Sequence, residues 1–318
     1  MKHLKIEKFM VCIAIVVMQC LVSCQNDAVE ISRENAIINI QLNNVLSPFT
    51  AYTQKNMDMY KEDGIPSKIV VRAFVYDDAG HLISKFSKEI SDYKQGSVSF
   101  TTSLTGSNPQ IVCLTYATLT SSSGIKYDAY DVSGEELLST LKIENDYASV
   151  VNYIPWQVLG GAIKSIGTAS GKVDIEVKPL GGLAFLVWQN IHAHDGESKA
   201  PQRYVFMQKY NDIATIKDGT FSYSSSLSSR YYFVADIFAS DFPAYDWVYD
   251  LRFMFPSTVE SYCYGAYSPS KYAIDNDEET TGISSQKNIQ VDAGKQYVFK
   301  MDCKTYELDV KEGVLVDK

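Results

Sequence analysis

The chain of 318 residues carries 46% hydrophobic, 21% charged and 12% aromatic residues at a formal net charge of −9. That composition excludes wholesale disorder, and a single long apolar run excludes a multi-span membrane protein. Affinity for nucleic acid comes from clustered Lys and Arg that neutralise phosphates, so an acidic chain is expected to have no nucleic-acid partner.

The first element reads as an address. Lys2, Lys5 and Lys8 precede an apolar run from Phe9 to Val22, too short for the ~20 residues of a membrane span but right for the core of a signal peptide. The run closes on Leu21-Val22-Ser23-Cys24, the pattern of a bacterial lipobox, which predicts a signal over residues 1–23 and lipidation of Cys24. The mature chain then holds 26 Lys+Arg against 37 Asp+Glu, a net charge of −11. Two acyl chains and an N-acyl group anchor far more firmly than one marginal chain. Residues 24–35, opening with Gln25-Asn26-Asp27, read as a polar tether.

Strands follow. Ile37–Leu42 is an early strand, and Ile69–Tyr76 and Ile111–Leu119 are β-branched and apolar on both faces, as central strands require. Between them, Asp77-Asp78-Ala79-Gly80 leads at once into Leu82–Phe86, which predicts a hairpin with His81 exposed. Ser97–Leu104 and Lys172–Lys178 alternate apolar and polar residues and so each bury one face. Ser133-Gly-Glu-Glu136 resembles a capping box, and Leu137, Leu138 and Leu141 behind it predict a helix of two or three turns. Later strands are expected at Leu183–Trp188, Tyr204–Gln208, Tyr231–Phe238, Trp247–Phe255 and Gln296–Asp302. Glycines at 160, 161, 167 and 171 break the apolar pattern, placing a boundary between one domain at 36–165 and another at 166–318. Short strands with turn signals at intervals predict an all-β protein of two antiparallel β-sandwiches.

The final segment changes phase. Tyr297, Phe299, Met301 and Cys303 share one face, whereas Tyr306, Leu308 and Val310, and then Val314 and Val316 past Gly313, fall on the other. Such a slip requires a bulge or a break. Two readings stand: a bulged last strand, or an alternating tail given to a neighbouring subunit by strand addition.

Chemistry is sparse. No phosphate-binding loop, dinucleotide fingerprint, nucleophile elbow or zinc-protease helix is present, so no cofactor is expected. His192 and His194 would face the same way on a strand and could share a metal, but Asn190 and Asp195-Gly196 around them favour a solvated turn. Tyr245–Asp250 offers two carboxylates among aromatics, as a sugar site would, although the alternation of Trp247, Tyr249, Leu251 and Phe253 is equally that of a core strand. Cys113, Cys263 and Cys303 are an odd set without tight spacing. Buried thiols are favoured, with a Cys263–Cys303 bridge the alternative.

The order of these features resembles the Bacteroidetes fimbrillin superfamily, and within it the FimB/Mfa2-type fimbrial anchor lipoproteins. The resemblance rests on the lipobox, the strand Ile37–Leu42, the stretch Val70–Leu82 with its Asp-Gly hairpin, Val173–Leu180, and the closing Val291-Asp-Ala-Gly-Lys-Gln-Tyr-Val-Phe299. Gly181-Gly182 stands where the family carries a basic residue. The resemblance implies two transthyretin-like sandwiches, no catalysis, and attachment to the cell outer membrane through lipid on Cys24, exposed at the surface. Its implied partners are fimbrial pilin subunits, seated as a polymer at the base of a fimbrium. A surface glycan-binding lipoprotein is the alternative if aromatics such as Trp247 are exposed. A secreted hydrolase would need carboxylates converging in a cleft.

Overall fold

Strand pairing accounts for the alternation found in the sequence. The computed structural model describes residues 35–43, 45, 66–90, 95–104, 106–119, 132–144, 157–167, 171–211, 213–224, 232–267 and 279–315. The lipobox, with Cys24, and the tether lie outside the described residues. The first strands are β1 (Asn35–Gln41), β2 (Pro66–Tyr76), β3 (Leu82–Ile90), β4 (Ser97–Ser103), β5 (Gln110–Leu119), β6 (Val132–Ser133), β7 (Lys142–Glu144), β8 (Gln157–Ser165), β9 (Gly171–Glu176) and β10 (Lys178–Pro179). After them come β11 (Gly182–Gln189), β12 (Arg203–Lys209), β13 (Ile213–Lys217), β14 (Thr220–Tyr223), β15 (Tyr232–Phe238) and β16 (Trp247–Met254). The last five are β17 (Ser257–Tyr267), β18 (Glu279–Ile283), β19 (Lys287–Val291), β20 (Gln296–Asp302) and β21 (Glu307–Glu312). The protein is all-β, as its alternation predicts.

The first unit has three layers. A small sheet β4-β1-β9 faces the large sheet β10-β8-β5-β2-β3. Ile38, Ile40, Val98, Val173 and Ile175 from one meet Ile69, Val71, Val75, Ile111 and Leu159 from the other. A third sheet, β14-β13-β7-β6, covers the far face of the large one. There Ile143, Ala214 and Ile216 pack on Phe74, Tyr76, Val112, Leu114 and Val158. This middle position is why β2 and β5 are apolar on both faces.

The second unit is a two-sheet sandwich, β16-β11-β20-β21 against β15-β12-β17-β18, with β19 also on β17. Leu186, Trp188, Tyr297, Phe299 and Met301 meet Tyr204, Phe206, Val259 and Cys263 between the sheets. Cys113, Cys263 and Cys303 are all buried free thiols, and burial pushes the Cys263 thiol up to about 12. The other face of β11, with Leu183, Phe185 and Val187, joins the buried cluster of the first unit. The two units thus share one continuous apolar wall.

Three expectations are corrected. The first is the boundary at 165/166. Strand β9 pairs in parallel with β1, from Ala36↔Gly171 to Gln41↔Glu176, and β10 pairs with β8, so both belong to the first unit. The glycines at 160 and 161 lie inside β8 instead of ending a domain. The crossing falls at Gly181, where an added Cβ would lie 2.1 Å from the carbonyl oxygen of Met254. A basic side chain has no room there. The hairpin β13–β14 also departs from a simple division, since it pairs with β7 and so returns to the first unit.

The second correction is the helix after Ser133. Ser133 lies in β6 and pairs with Lys142, Gly134 has a left-handed φ of 66°, and Leu137 bridges to His81. What remains is a 3₁₀ turn at Leu138–Thr140 with no side-chain cap. Its leucines are drawn to the sheets on either side, overriding a short local helical preference.

The third concerns the C-terminal tail. Residues Glu307–Glu312 form a hairpin with β20, from Asp302↔Glu307 to Tyr297↔Glu312. Leu308 is buried, Tyr306 and Val310 pack on the same core, Val314 is exposed, and Val316 lies outside the described residues. In this chain the segment completes its own sandwich. Tyr306, at a left-handed φ of 60°, is the residue that shifts the phase. Its ring covers the paired glycines Gly265 and Gly282, and an added Cβ at Gly282 would come within 2.3 Å of it.

Candidate interaction edge

The histidine pair sits in the turn after β11. His192 contacts Asp195 at 3.1 Å through Nδ1 and the Phe242 carbonyl at 3.0 Å through Nε2. His194 contacts Glu197 at 3.0 Å and the Cys303 carbonyl at 3.1 Å, and it stacks on Tyr306. Both rings are thus spent on holding the turn. Among the described residues, no three or more His, Cys, Asp or Glu side chains gather as metal ligands would. Trp247 and Tyr249 stack at 5.9 Å against the wall between the units, with Tyr249 buried. The alternation of this strand therefore serves the core.

The two flanks of the first unit differ. On one, edge strands β3 and β4 are drawn together by the stacked rings of Phe86 and Phe100, 4.3 Å apart, and by Ser84 and Thr102 hydroxyls at 3.3 Å. On the other, among the described residues, β9 ends the small sheet, and β8 has only the short β10 beyond it, at Gly160 and Gly161. A groove of about 580 Å³ lies between them, lined by Gln41, Asn43, Ile163, Lys164, Asp174 and Glu176 among others. Among the described residues no further strand pairs with the β9 edge beside it, and such edges template pairing unless they are blunted.

Lys164 does the blunting. Its ammonium reaches from β8 and donates to the Asp174 carbonyl oxygen of β9 at 2.8 Å, satisfying an acceptor that a further strand would otherwise engage. On the outer face of the small sheet, Asn39 of β1 donates to the Asp174 carboxylate at 2.7 Å and accepts from the Ser99 hydroxyl of β4 at 2.9 Å. Those contacts, from Asn39 first and then Lys172, hold the Asp174 carboxyl below the usual range. At the start of β1, Ser103 donates to the Asn35 side chain at 3.1 Å. The polar alternation of Lys172, Asp174 and Glu176 was legible in the sequence. That β9 is an edge, and that Lys164 guards it, depends on pairings far apart in the chain and carried no local signal.

No family model matches the chain, and no curated protein matches it. Among solved structures, the fold is similar to a putative cell adhesion protein from Bacteroides ovatus, at 12% identity and a TM-score of 0.42, covering 89% of this chain and 98% of that one. A fimbrial assembly protein from Parabacteroides distasonis aligns at 10% identity and a TM-score of 0.33, over 88% and 98% of the two chains. The tip fimbrial protein Mfa3 from Porphyromonas gingivalis aligns at 9% identity and 0.37, again over 88% and 98%.

Proposed function

We propose that the protein is a non-catalytic subunit of a surface fimbrium, anchored in the outer membrane by acyl chains on Cys24 and seating related pilins. The ordered sequence features that resemble fimbrial anchor lipoproteins support this reading. The observation that carries it is the β9 flank beside β8, which ends its sheet among the described residues: away from the one carbonyl that Lys164 covers, a neighbouring chain can add a strand there through backbone hydrogen bonds. The glycan alternative has no comparable support, because Trp247 and Tyr249 pack inward.

Two measurements test the reading. A Cys24→Ser variant should leave the membrane fraction while remaining folded. Persistent pelleting and detergent partitioning would move the anchor elsewhere. A photo-crosslinking residue at Glu176 should capture a pilin in intact cells, and the same probe at Lys88, exposed on β3 at the opposite flank, should not. Equal capture at both positions would remove the edge from the interface.

A further inference from the structure

We propose that the small sheet β4-β1-β9 is a force clamp, which holds the protein on its tether when the molecule is pulled from outside. The inference rests on the anchor reading above, because it needs the N-terminal end of the chain to be the attached end.

The geometry is set by strand direction. The chain from the lipobox enters β1 at Asn35, and β1 lies between two partners. It pairs antiparallel with β4 over seven residues, from Asn35↔Ser103 to Gln41↔Ser97, and in parallel with β9 over six, from Ala36↔Gly171 to Gln41↔Glu176. The rest of the protein continues from the far end of β9. There the Val177 amide bonds to the Gln41 carbonyl at 3.0 Å, and β11 begins at Gly182. A pull between tether and second unit therefore enters at the start of β1 and leaves at the finish of β9. Two parallel strands loaded from opposite ends are sheared along their axes.

Shear and peeling differ in how they load a ladder. Ladder bonds run across the strands, so an axial load strains all of them together, whereas a load applied across one end breaks them one after another. Forced unfolding is governed by the unfolding rate, and simultaneous rupture raises that barrier far more than sequential rupture does. Side chains add to the lock. Asn39, near the middle of β1, bonds to Ser99 on one side and Asp174 on the other, and Asn35 bonds to Ser103 at the loaded end. The inner face of β1 is equally committed, with Ala36, Ile38 and Ile40 buried. Sliding β1 by one residue would turn that apolar face outward. The strand can leave only by breaking both ladders and exposing the core.

The test is single-molecule force spectroscopy on the full mature chain made without acylation. One handle is attached at Cys24, since the thiols of Cys113, Cys263 and Cys303 are buried. In the tether geometry the second handle is at Thr258→Cys, on the exposed face of β17, a strand paired on both sides. In the peeling geometry it is at Ser103→Cys, beside the start of β1. The expected result is a several-fold higher rupture force in the tether geometry, with the released contour length identifying β1. Asn39→Ala should lower the tether-geometry force and leave the peeling force nearly unchanged. Equal rupture forces in the two geometries, or an Asn39→Ala variant that keeps the full tether-geometry force, would overturn the clamp. The anchor reading fails separately, if Cys24→Ser protein stays on membranes, whatever the force measurement shows.

Discussion

The two units reach completeness by different routes. The second sandwich closes with strands from its own half of the chain, β21 included. The first covers the far face of its large sheet only in part, with β6 and β7, until β13 and β14 come back from the second half to extend that layer. One unit is nearly self-sufficient, and the other borrows a layer. The lesson is that chain order and domain order need not agree in a β protein, because a strand pairs with whatever edge and face it can reach.

The largest effect should come from cutting that loan. A fragment of residues 24–181 loses Ala214, Ile216 and Phe255 from over Phe74, Tyr76, Val112, Leu114 and Val158, and loses Leu183, Phe185 and Val187 of β11 from the other core. At roughly 1.5–3 kcal/mol for each large side chain returned to water, the loss rivals a whole domain's usual margin of about 5–15 kcal/mol. Thermal unfolding by circular dichroism should show no cooperative transition for this fragment. A sharp melt at the temperature of the full chain would break the comparison.

Next is the shared wall. Phe185 is fully buried in the cluster that joins the units, and Phe185→Ala should cost about 3–5 kcal/mol. Both units should lose stability together in one transition, reported alike by calorimetry and by tryptophan fluorescence. Two separated transitions would mean that the wall does not couple them.

Within the second unit, Leu308→Ala should cost about 2 kcal/mol or more, since a buried leucine leaves a cavity when truncated. Urea unfolding of the monomer reads this directly. An unchanged midpoint would return the C-terminal segment to a role between subunits.

The smallest effect is electrostatic and compares one carboxylate from each unit. Asp78 accepts from the amides of Ser107 and Asn108 and the Ser107 hydroxyl, which hold its carboxyl below the ordinary 3.8. Burial pushes the Asp302 carboxyl up, but bonds from Asn190, Lys304 and Gln189 outweigh it and leave the group lowered. Both are depressed in the folded state, so their contribution is complete above the ordinary value and lost as pH falls through the lower folded one. Between pH 5 and pH 3, Asp78→Asn and Asp302→Asn should each show a shallower fall in Tm than the parent. A steeper fall in either variant would reverse the sign.

Much of this architecture was legible in the sequence. Period-two alternation located β4, β9, β12, β16 and β20 to within a residue or two. The two-faced apolar character of β2 and β5 marked them as central strands, and Cys303 was placed on a buried face by its alternation with Met301. All of these are statements about one strand and its two faces, and side-chain alternation encodes them locally.

What the tertiary structure alone decided concerns partners. Alternation says that Val173 and Ile175 are buried, not that β9 runs beside β1 as an open edge with Lys164 across its carbonyl. It marks Ala214 and Ile216 as apolar, not that they cover the first unit. The expected helix failed at Leu138 because sheets on both sides claimed its leucines, and of the two readings of the tail the last strand of its own sandwich holds because one residue, Tyr306, absorbs the change of phase in a left-handed turn. Strand hydrogen bonds are satisfied between segments far apart in the chain, so a strand's own residues determine which face it hides but leave its neighbour to the fold as a whole.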